Sequence, residues 1–403
     1  MQQIVIAADS FKGSLSSSEV AEAFAEGWHE IAPDCNIRKV RVADGGEGTL
    51  EALVEMLQGD YIELTVHDPL HRPIEARYGV VDGGTTAVIE MASASGLTLL
   101  ASEERNPMVT STYGTGEMVA DALARGCRKV LLGIGGSATN ECGVGMFRAL
   151  GYRFLDRNGK ELSGGGEILE QIAKIDDSQR IEGLDKCEFV VACDVTNPLY
   201  GEQGAAHIFA PQKGADTAMV EALDRGVQNF AEVVKRHNGA EIAEMEGAGA
   251  AGGLGGGIMA LLNSRLERGI ELVLEAIRFD QIIEGSDLVI TGEGRLDGQT
   301  VMGKAPGGVA EKAKKQSLRD KLHNLPAAAG VAIMVLLLVV SLFVGNFRAL
   351  QRVTPKDFLR QGDVKSIMED RIDAAMNVAA VADRLGLGDV QTIYNYEHSA
   401  LNK

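Results

Sequence analysis

The chain has 403 residues, of which 45% are hydrophobic and 24% charged, and its formal net charge is −18. This length is enough for two or three domains. So acidic a surface would repel DNA or RNA, and nucleic acid is therefore not an expected partner. The five cysteines form no CxxC pair, which argues against a disulfide framework or a zinc site and favours a reducing compartment.

Short apolar runs alternate with helical segments as far as Gly294. The predicted strands lie at 4–9, 37–44, 61–69, 74–82, 85–92, 128–135, 187–194 and 286–294. Period-two alternation at 61–69 and 74–82 predicts an antiparallel pair and suggests a second sheet. A helix capped by Ser16, Ser17 or Ser18 follows the first strand. The repeating order of strand, glycine-rich or acidic loop, and helix is typical of an α/β fold with ligand sites at the carboxyl ends of its strands.

Two of these loops lie near the beginning of the chain. Directly after the first strand, Lys12 in the sequence DSFKGS could contact a phosphate or a carboxylate, although a surface turn would have the same residues. Asp44 and Glu47 lie among three glycines between a strand and a helix, where acids bind Mg²⁺ or accept a proton. The plainer interpretation is a tight turn with an acidic helix start.

The loop GIGGSATN at 133–140 supports two interpretations. Backbone N–H groups of such a loop converge on a phosphate. However, Gly133, Gly135 and Ala138 also match the GxGxxA form of the dinucleotide fingerprint, and Asp156 lies at about the right distance for a ribose. An NAD-dependent dehydrogenase that uses residues 133–138 is therefore an alternative.

Further loops follow in the second half of the chain. Asp194, in CDVTNP, is a candidate base or metal ligand, or it caps a turn. The glycine-rich stretch 247–257 could be a flexible lid, a close-packing segment or a linker. Arg295 could hold a carboxylate with its two-pronged guanidinium group. The stretch 298–304 reads GxxxxGK but is followed by Ala305 rather than Ser or Thr, which argues against a P-loop.

The pattern changes after Gln316. Residues 327–344 form an uncharged run that is nearly all apolar, which predicts a transmembrane helix or, alternatively, a buried helix. Residues 364–385 repeat at helical spacing and predict an amphipathic helix that ends near Gly386.

Eight motifs in this order resemble the bacterial glycerate kinases of the first type over residues 1–316. They are DSFKGSLS (9–16), ADGGEGT (43–49), GTGE (114–117), GIGGSATN (133–140), CDVTNPL (193–199), FAPQKGA (209–215), AGGLGGG (251–257) and TGEGRLDGQT (291–300). The resemblance implies an ATP- and Mg²⁺-dependent kinase that acts on D-glycerate. It also implies two α/β domains, one inserted in the other, with a cleft between them.

Within this interpretation, the chemistry of the residues in these motifs suggests roles for individual positions. Positioned charge matters more than covalent chemistry in phosphoryl transfer, and which acid acts as the base stays open. The catalytic candidates are Asp194, Asp44 and Lys12. The candidates for substrate binding are Arg295, Ser10 and Lys213. The candidates for phosphate binding are Gly135, Gly136 and Ser137. The candidate metal ligands are Asp194, Glu293 and Asp297.

Two departures accompany the resemblance. Glu141-Cys142 stands where the family reads Asp-Gly, which predicts an altered helix start. The family's text also stops near Lys315. The remainder divides into a basic linker (317–324), a transmembrane helix (325–345) and an unassigned helical tail (346–403). This division predicts a cytoplasmic kinase anchored to the cytoplasmic membrane through 325–345. The alternative is an inactive, membrane-tethered fusion remnant.

Overall fold

The computed structural model of the chain describes residues 3–11, 14–46, 48–294 and 304–315. The described chain divides into two units. The first combines the residues up to Asp44 with those from Leu274 onward, and the second is Gly45–Val273. The second unit is therefore an insertion in the sequence of the first.

Short strands and helices alternate along both units. The strands are β1 (Gln3–Ala8), β2 (Asn36–Arg41), β3 (Asp60–His67), β4 (Pro73–Val81), β5 (Thr86–Glu90), β6 (Lys129–Gly133), β7 (Arg153–Leu155), β8 (Lys174–Asp176), β9 (Glu188–Ala192), β10 (Ser264–Glu267) and β11 (Leu288–Ile290). The helices are α1 (Ser17–Ile31), α2 (Thr49–Met56), α3 (Ala92–Ser95), α4 (Tyr113–Ala124), α5 (Val144–Ala149), α6 (Ala205–Phe209), α7 (Thr217–Asn238), α8 (Ala250–Leu261), α9 (Gly269–Ala276), α10 (Phe279–Ile282) and α11 (Ala305–Lys315). The mixed α/β fold expected from the sequence is confirmed.

The first unit contains a parallel sheet in the order β11–β1–β2. In the central strand, Ile4 pairs with Leu288 on one side and with Ile37 on the other. The run IVIAA of β1 is buried, as expected for a parallel strand covered on both faces. A capping box begins α1: the Ser16 hydroxyl accepts from Glu19 N–H, and the Glu19 carboxylate accepts from Ser16 N–H.

The second unit contains a six-stranded sheet in the order β10–β9–β6–β5–β4–β3. The first four strands are parallel, and β4 and β3 extend the sheet in the antiparallel sense. The predicted pairing of 61–69 with 74–82 is confirmed. The prediction that this pair forms a second sheet is wrong, because Gly79 of β4 pairs with Val88 of β5 and the pair therefore belongs to the six-stranded sheet. The alternation reflects an edge of the same sheet that has one partly exposed face.

The largest hydrophobic cluster lies within the second unit and packs against one face of this sheet. Val130 and Leu132 of β6 belong to it, together with their register partners Phe189 and Val191 of β9. Its bulkiest fully buried side chains are Tyr78, Phe147, Phe154, Phe189 and Phe230. This core fixes the strands whose carboxyl ends carry the candidate site.

No helix among the described residues is long and apolar enough to cross a membrane. The predicted linker 317–324, the transmembrane helix 325–345 and the tail 346–403 with its amphipathic helix lie outside the described residues.

Candidate active site

The parallel strands of the second unit end at one edge of its sheet. The loop 133–140 leaves β6 there, and Asp194 lies two residues beyond the end of β9. In α/β sheets, ligands bind at the carboxyl ends of the strands. The structure therefore places two of the predicted sites at the edge where a ligand is expected.

Gly45, in the motif ADGGEGT (43–49), also packs closely against this edge. A Cβ atom added to Gly45 would lie 2.6 Å from Gly269 Cα and 2.8 Å from Ala192 Cβ. One added to Gly133 would lie 2.9 Å from the Gly45 carbonyl oxygen. Because real Cβ atoms do not approach other atoms so closely, glycine is needed at both positions for these backbone segments to pack against each other.

The turn at Gly135–Ser137 presents backbone donors. Gly135 and Gly136 are exposed, and Leu97 N–H donates to the Gly136 carbonyl oxygen at 2.8 Å. Within the described part of the chain, the N–H groups of Gly135, Gly136 and Ser137 have no hydrogen-bond acceptor. Gly135 and Gly136 are exposed and Ser137 is buried beside them, and three neighbouring N–H groups of this kind are suited to an anion.

Lys213 lies behind this turn, at the end of a short 3₁₀ helix, Pro211–Lys213. The residue is only 2% exposed, and its Nζ donates to Ser137 Oγ at 2.7 Å and to the Thr139 carbonyl oxygen at 2.6 Å. Burial lowers the pKa of Lys213 to about 7. The ammonium group therefore contacts the loop from inside the unit rather than from solvent.

Asp194 is exposed, and its orientation is fixed. Its Oδ1 accepts a hydrogen bond of 2.9 Å from the N–H of Gly269, the first residue of α9. A carboxylate at a helix N-terminus is favoured by the helix dipole and by the unpaired N–H groups there. Asp194 is thus an exposed residue that this hydrogen bond holds at the sheet edge.

A second group of polar residues lies in the first unit, at the carboxyl ends of β1, β2 and β11. Asp9 N–H donates to the Gly292 carbonyl oxygen at 2.9 Å, and Ser10 N–H donates to Asp9 Oδ1 at 2.6 Å. Asp44 is 6% exposed, and its Oδ2 lies 3.3 Å from Lys304 Nζ. Ser10 and Asp44 therefore lie where the sequence predicts them, after strands of one sheet.

Asp9 and Lys304 also lie in this group, although neither is among the candidate site residues expected from the sequence. Asp9 is 4% exposed and directly follows β1, in the motif that supplies the candidates Ser10 and Lys12. Lys304 ends the GxxxxGK stretch, which the following Ala305 excludes as a P-loop. In both cases a signal is present in the sequence, as a charged residue at a strand or helix end.

The remaining candidates are divided between described and undescribed residues. Glu293 follows β11 in the first unit and is partly buried. Lys12, Arg295 and Asp297 lie outside the described residues, and their roles stay predictions.

The residues chosen for a dinucleotide site do not adopt its geometry. The carboxylate of Asp156 accepts hydrogen bonds of 2.8 Å from the N–H groups of Asn158 and Lys160 and so closes its own turn. The loop after β6 leads to α5 only at Val144, whereas the fingerprint needs a helix that opens at the loop itself. The dehydrogenase alternative based on 133–138 is therefore wrong.

The departure at Glu141-Cys142 forms part of the start of α5. Cys142 has φ of 55°, in the left-handed region that glycine favours. The buried Glu141 carboxylate accepts hydrogen bonds from Thr112 N–H at 2.8 Å and Gly145 N–H at 3.0 Å. Burial raises the pKa of Glu141 to about 7.

Comparison with known proteins gives consistent matches. The profile of the glycerate kinase family matches residues 4–321. The chain is 50% identical to a glycerate kinase of Bacillus subtilis over 312 residues, which cover 77% of this chain and 82% of that protein. It is 49% identical to a glycerate 2-kinase of Escherichia coli over 313 residues, which cover 78% and 82% of the two chains.

A solved structure agrees with these matches. The crystal structure of a Salmonella typhimurium LT2 protein assigned as glycerate kinase 2 has a TM-score of 0.75 and 40% sequence identity. The match covers 87% of this chain and 100% of that one. The chain belongs to the glycerate kinase family.

Proposed function

We propose that this enzyme transfers the γ-phosphoryl group of ATP to a hydroxyl group of D-glycerate. The observation that carries the proposal is the turn at Gly135–Ser137, which is exposed at its two glycines and has three N–H groups without an acceptor among the described residues. The similar proteins of Bacillus subtilis and Escherichia coli are a glycerate kinase and a glycerate 2-kinase, which supports glycerate as the acceptor.

The chemistry of phosphoryl transfer agrees with this arrangement. Such enzymes act through positioning and electrostatic stabilisation of the transferred group. The turn at Gly135–Ser137 would hold phosphate oxygens through its N–H groups. Asp194 and Asp44 are the two candidates for accepting the proton of the glycerate hydroxyl, and Lys12, Ser10 and Arg295 would contact the substrates.

Mg²⁺ would assist the reaction by neutralising charge on the nucleotide phosphates. Among the described residues, no group of three or more His, Cys, Asp or Glu side chains could hold a metal ion by itself. Mg²⁺ is commonly bound by one or two carboxylates together with substrate phosphates. Asp194, an exposed acidic residue, suits this use, and Glu293 and Asp297 are the further proposed ligands.

An assay on the purified full chain tests the proposal. We expect ADP release that requires both ATP and D-glycerate and that stops when EDTA removes Mg²⁺. Phosphorus NMR of the product then identifies the hydroxyl that is phosphorylated. ADP release that does not depend on glycerate would contradict the proposed acceptor. A complete absence of turnover would favour the inactive remnant.

A further inference from the structure

Lys213 is a buried lysine without an anionic partner among the residues that the structure describes. Its two acceptors are uncharged: the Ser137 hydroxyl and the Thr139 carbonyl group. A buried charge is costly unless it is paired, and buried lysines are usually found with a carboxylate. The positive charge behind the turn is therefore available to complement an anion in front of it.

The hydrogen bond to Ser137 has only one possible direction when Lys213 is protonated. An ammonium group has three donors and no acceptor, so Ser137 Oγ must accept. A hydroxyl group has a single proton to donate. The Ser137 O–H is thus left to donate elsewhere, next to the unpaired N–H groups of Gly135 and Gly136.

We propose that Lys213 is a positioning residue that turns the Ser137 hydroxyl into a donor for a phosphate oxygen of the nucleotide. This inference rests on the proposed function, because it assigns the anion at this turn to ATP. The sequence suggests Lys213 as a substrate-binding residue, but its buried Nζ contacts the loop instead, so we assign it no direct contact with the substrate. Its hydrogen bond to Ser137 Oγ places a positive charge behind the turn and leaves the Ser137 O–H to donate forward. Its hydrogen bond to the Thr139 carbonyl oxygen holds the next part of the loop.

The low pKa of Lys213, near 7, agrees with this role. Burial alone causes the shift, and a bound phosphate in front of the turn would stabilise the ammonium form. Charge-assisted hydrogen bonds are about twice as strong as neutral ones. Loss of either partner should therefore weaken nucleotide binding measurably.

The test compares Lys213→Met, Ser137→Ala and the double variant of the full chain. Calorimetry gives the Kd for ATP without glycerate, and steady-state kinetics give the two KM values. We expect each single variant to lose about 10- to 100-fold in ATP affinity, with little change in KM for glycerate. The double variant should lose no more than either single one, because both remove the same connection. Lys160→Met, at an exposed lysine, is the matched control.

Several results would overturn the proposal. Unchanged ATP affinity in both single variants, losses that multiply in the double variant, or a change confined to KM for glycerate would each contradict it. Ser137→Ala removes one oxygen atom only, so it remains informative even where Lys213→Met fails to fold. A wild-type chain that binds ATP but does not phosphorylate glycerate would refute the proposed function, while the affinity measurements would still test the role of Lys213.

Discussion

At the scale of single residues, Asp194 offers the most direct test of the site. We predict that Asp194→Asn lowers kcat at least about a hundredfold, because it removes a base or a metal ligand. The amide oxygen of asparagine can still accept the hydrogen bond from Gly269 N–H, so the fold should stay intact. Steady-state kinetics and circular dichroism measure the two effects.

Asp156→Asn provides the control for that variant. Asp156 also accepts backbone N–H bonds at a turn, yet this turn follows β7, which is not a strand of the six-stranded sheet. We expect its kcat to equal that of the wild type. A near-normal kcat for Asp194→Asn would remove Asp194 from the active site.

Glu141 should make the stability of the protein depend on pH. Its pKa is about 4.5 in the unfolded chain and about 7 in the buried site, so the folded state binds the proton more tightly. The contribution to stability is fully present below pH 4.5 and is lost as the pH rises through 7. The full loss is on the order of 3 kcal/mol.

We predict that Glu141→Gln removes this part of the pH dependence. The glutamine oxygen can still accept from Thr112 and Gly145, but the side chain carries no charge above pH 7. Urea denaturation of wild type and variant between pH 5 and pH 8 measures the difference. An equal change of stability with pH in the two proteins would show that Glu141 is not the group responsible.

The sequence shows which residues follow a strand, but it does not show which distant residues are brought into contact by packing. Asp44, Asp194 and Ser137 follow strands or glycine loops, and the structure finds them at strand ends. The contact of Lys213 with Ser137 joins residues 76 positions apart, which no local pattern indicates. The raised pKa of Glu141 likewise depends on burial by distant segments.

At the scale of elements, the start of α8 supports the loop 133–140. Gly252 has φ of 70°, its carbonyl oxygen accepts from Cys142 N–H, and a Cβ atom there would lie 2.1 Å from the Thr139 carbonyl oxygen. The glycine-rich stretch 247–257 is thus a close-packing segment, one of the alternatives expected from its sequence.

We predict that Gly252→Ala destabilises the protein and weakens ATP binding, since the added methyl group must displace Thr139. Gly239→Ala is the matched control: Gly239 has φ of 83° but has nothing within 4 Å of its added Cβ. Both variants carry the strain of the left-handed conformation, about 1–2 kcal/mol. Gly252→Ala should lose about 1–3 kcal/mol more from overpacking. Equal denaturation midpoints for the two variants would show that the contact with Thr139 is not tight.

Element positions are easier to predict than their pairing. The strands at 4–9, 128–135 and 187–194 are recognisable because apolar runs mark buried parallel strands. The strands β7, β8 and β10 are not recognisable in the sequence, since three or four residues are too few to show a period. The alternation at 61–82 indicates exposure correctly but does not show which sheet the pair joins.

At the scale of the whole chain, the segment after residue 321 lies beyond the match to the family. From its sequence we predict that 325–345 attaches the full chain to membranes, with the kinase on the side that has ATP. Leu337→Arg combined with Val340→Arg should release the protein, because each charge at the centre of a membrane helix costs about 2.5–3.5 kcal/mol. Fractionation of expressing cells with and without detergent gives the measurement.

The matched control is Leu337→Ile combined with Val340→Leu, which changes the same two positions but keeps the run apolar. We expect this variant to fractionate as the unmodified chain does. Recovery of the unmodified full chain without detergent would refute the attachment. In that case the apolar run would replace a core element of the kinase, and the two arginines should lower the denaturation midpoint instead.

The sheet of the first unit joins strands that are far apart in the chain. Gln3 N–H donates to the Asp287 carboxylate across 284 residues of sequence, and β1 pairs with β11 in the same region. During synthesis, the whole of 45–273 leaves the ribosome before β11 does. The second unit can therefore fold while one edge of β1 still lacks its partner. An unpaired apolar edge is a template for association with other chains. The β11 edge of the nascent strand β1 therefore stays open to such association until Leu288 has been made.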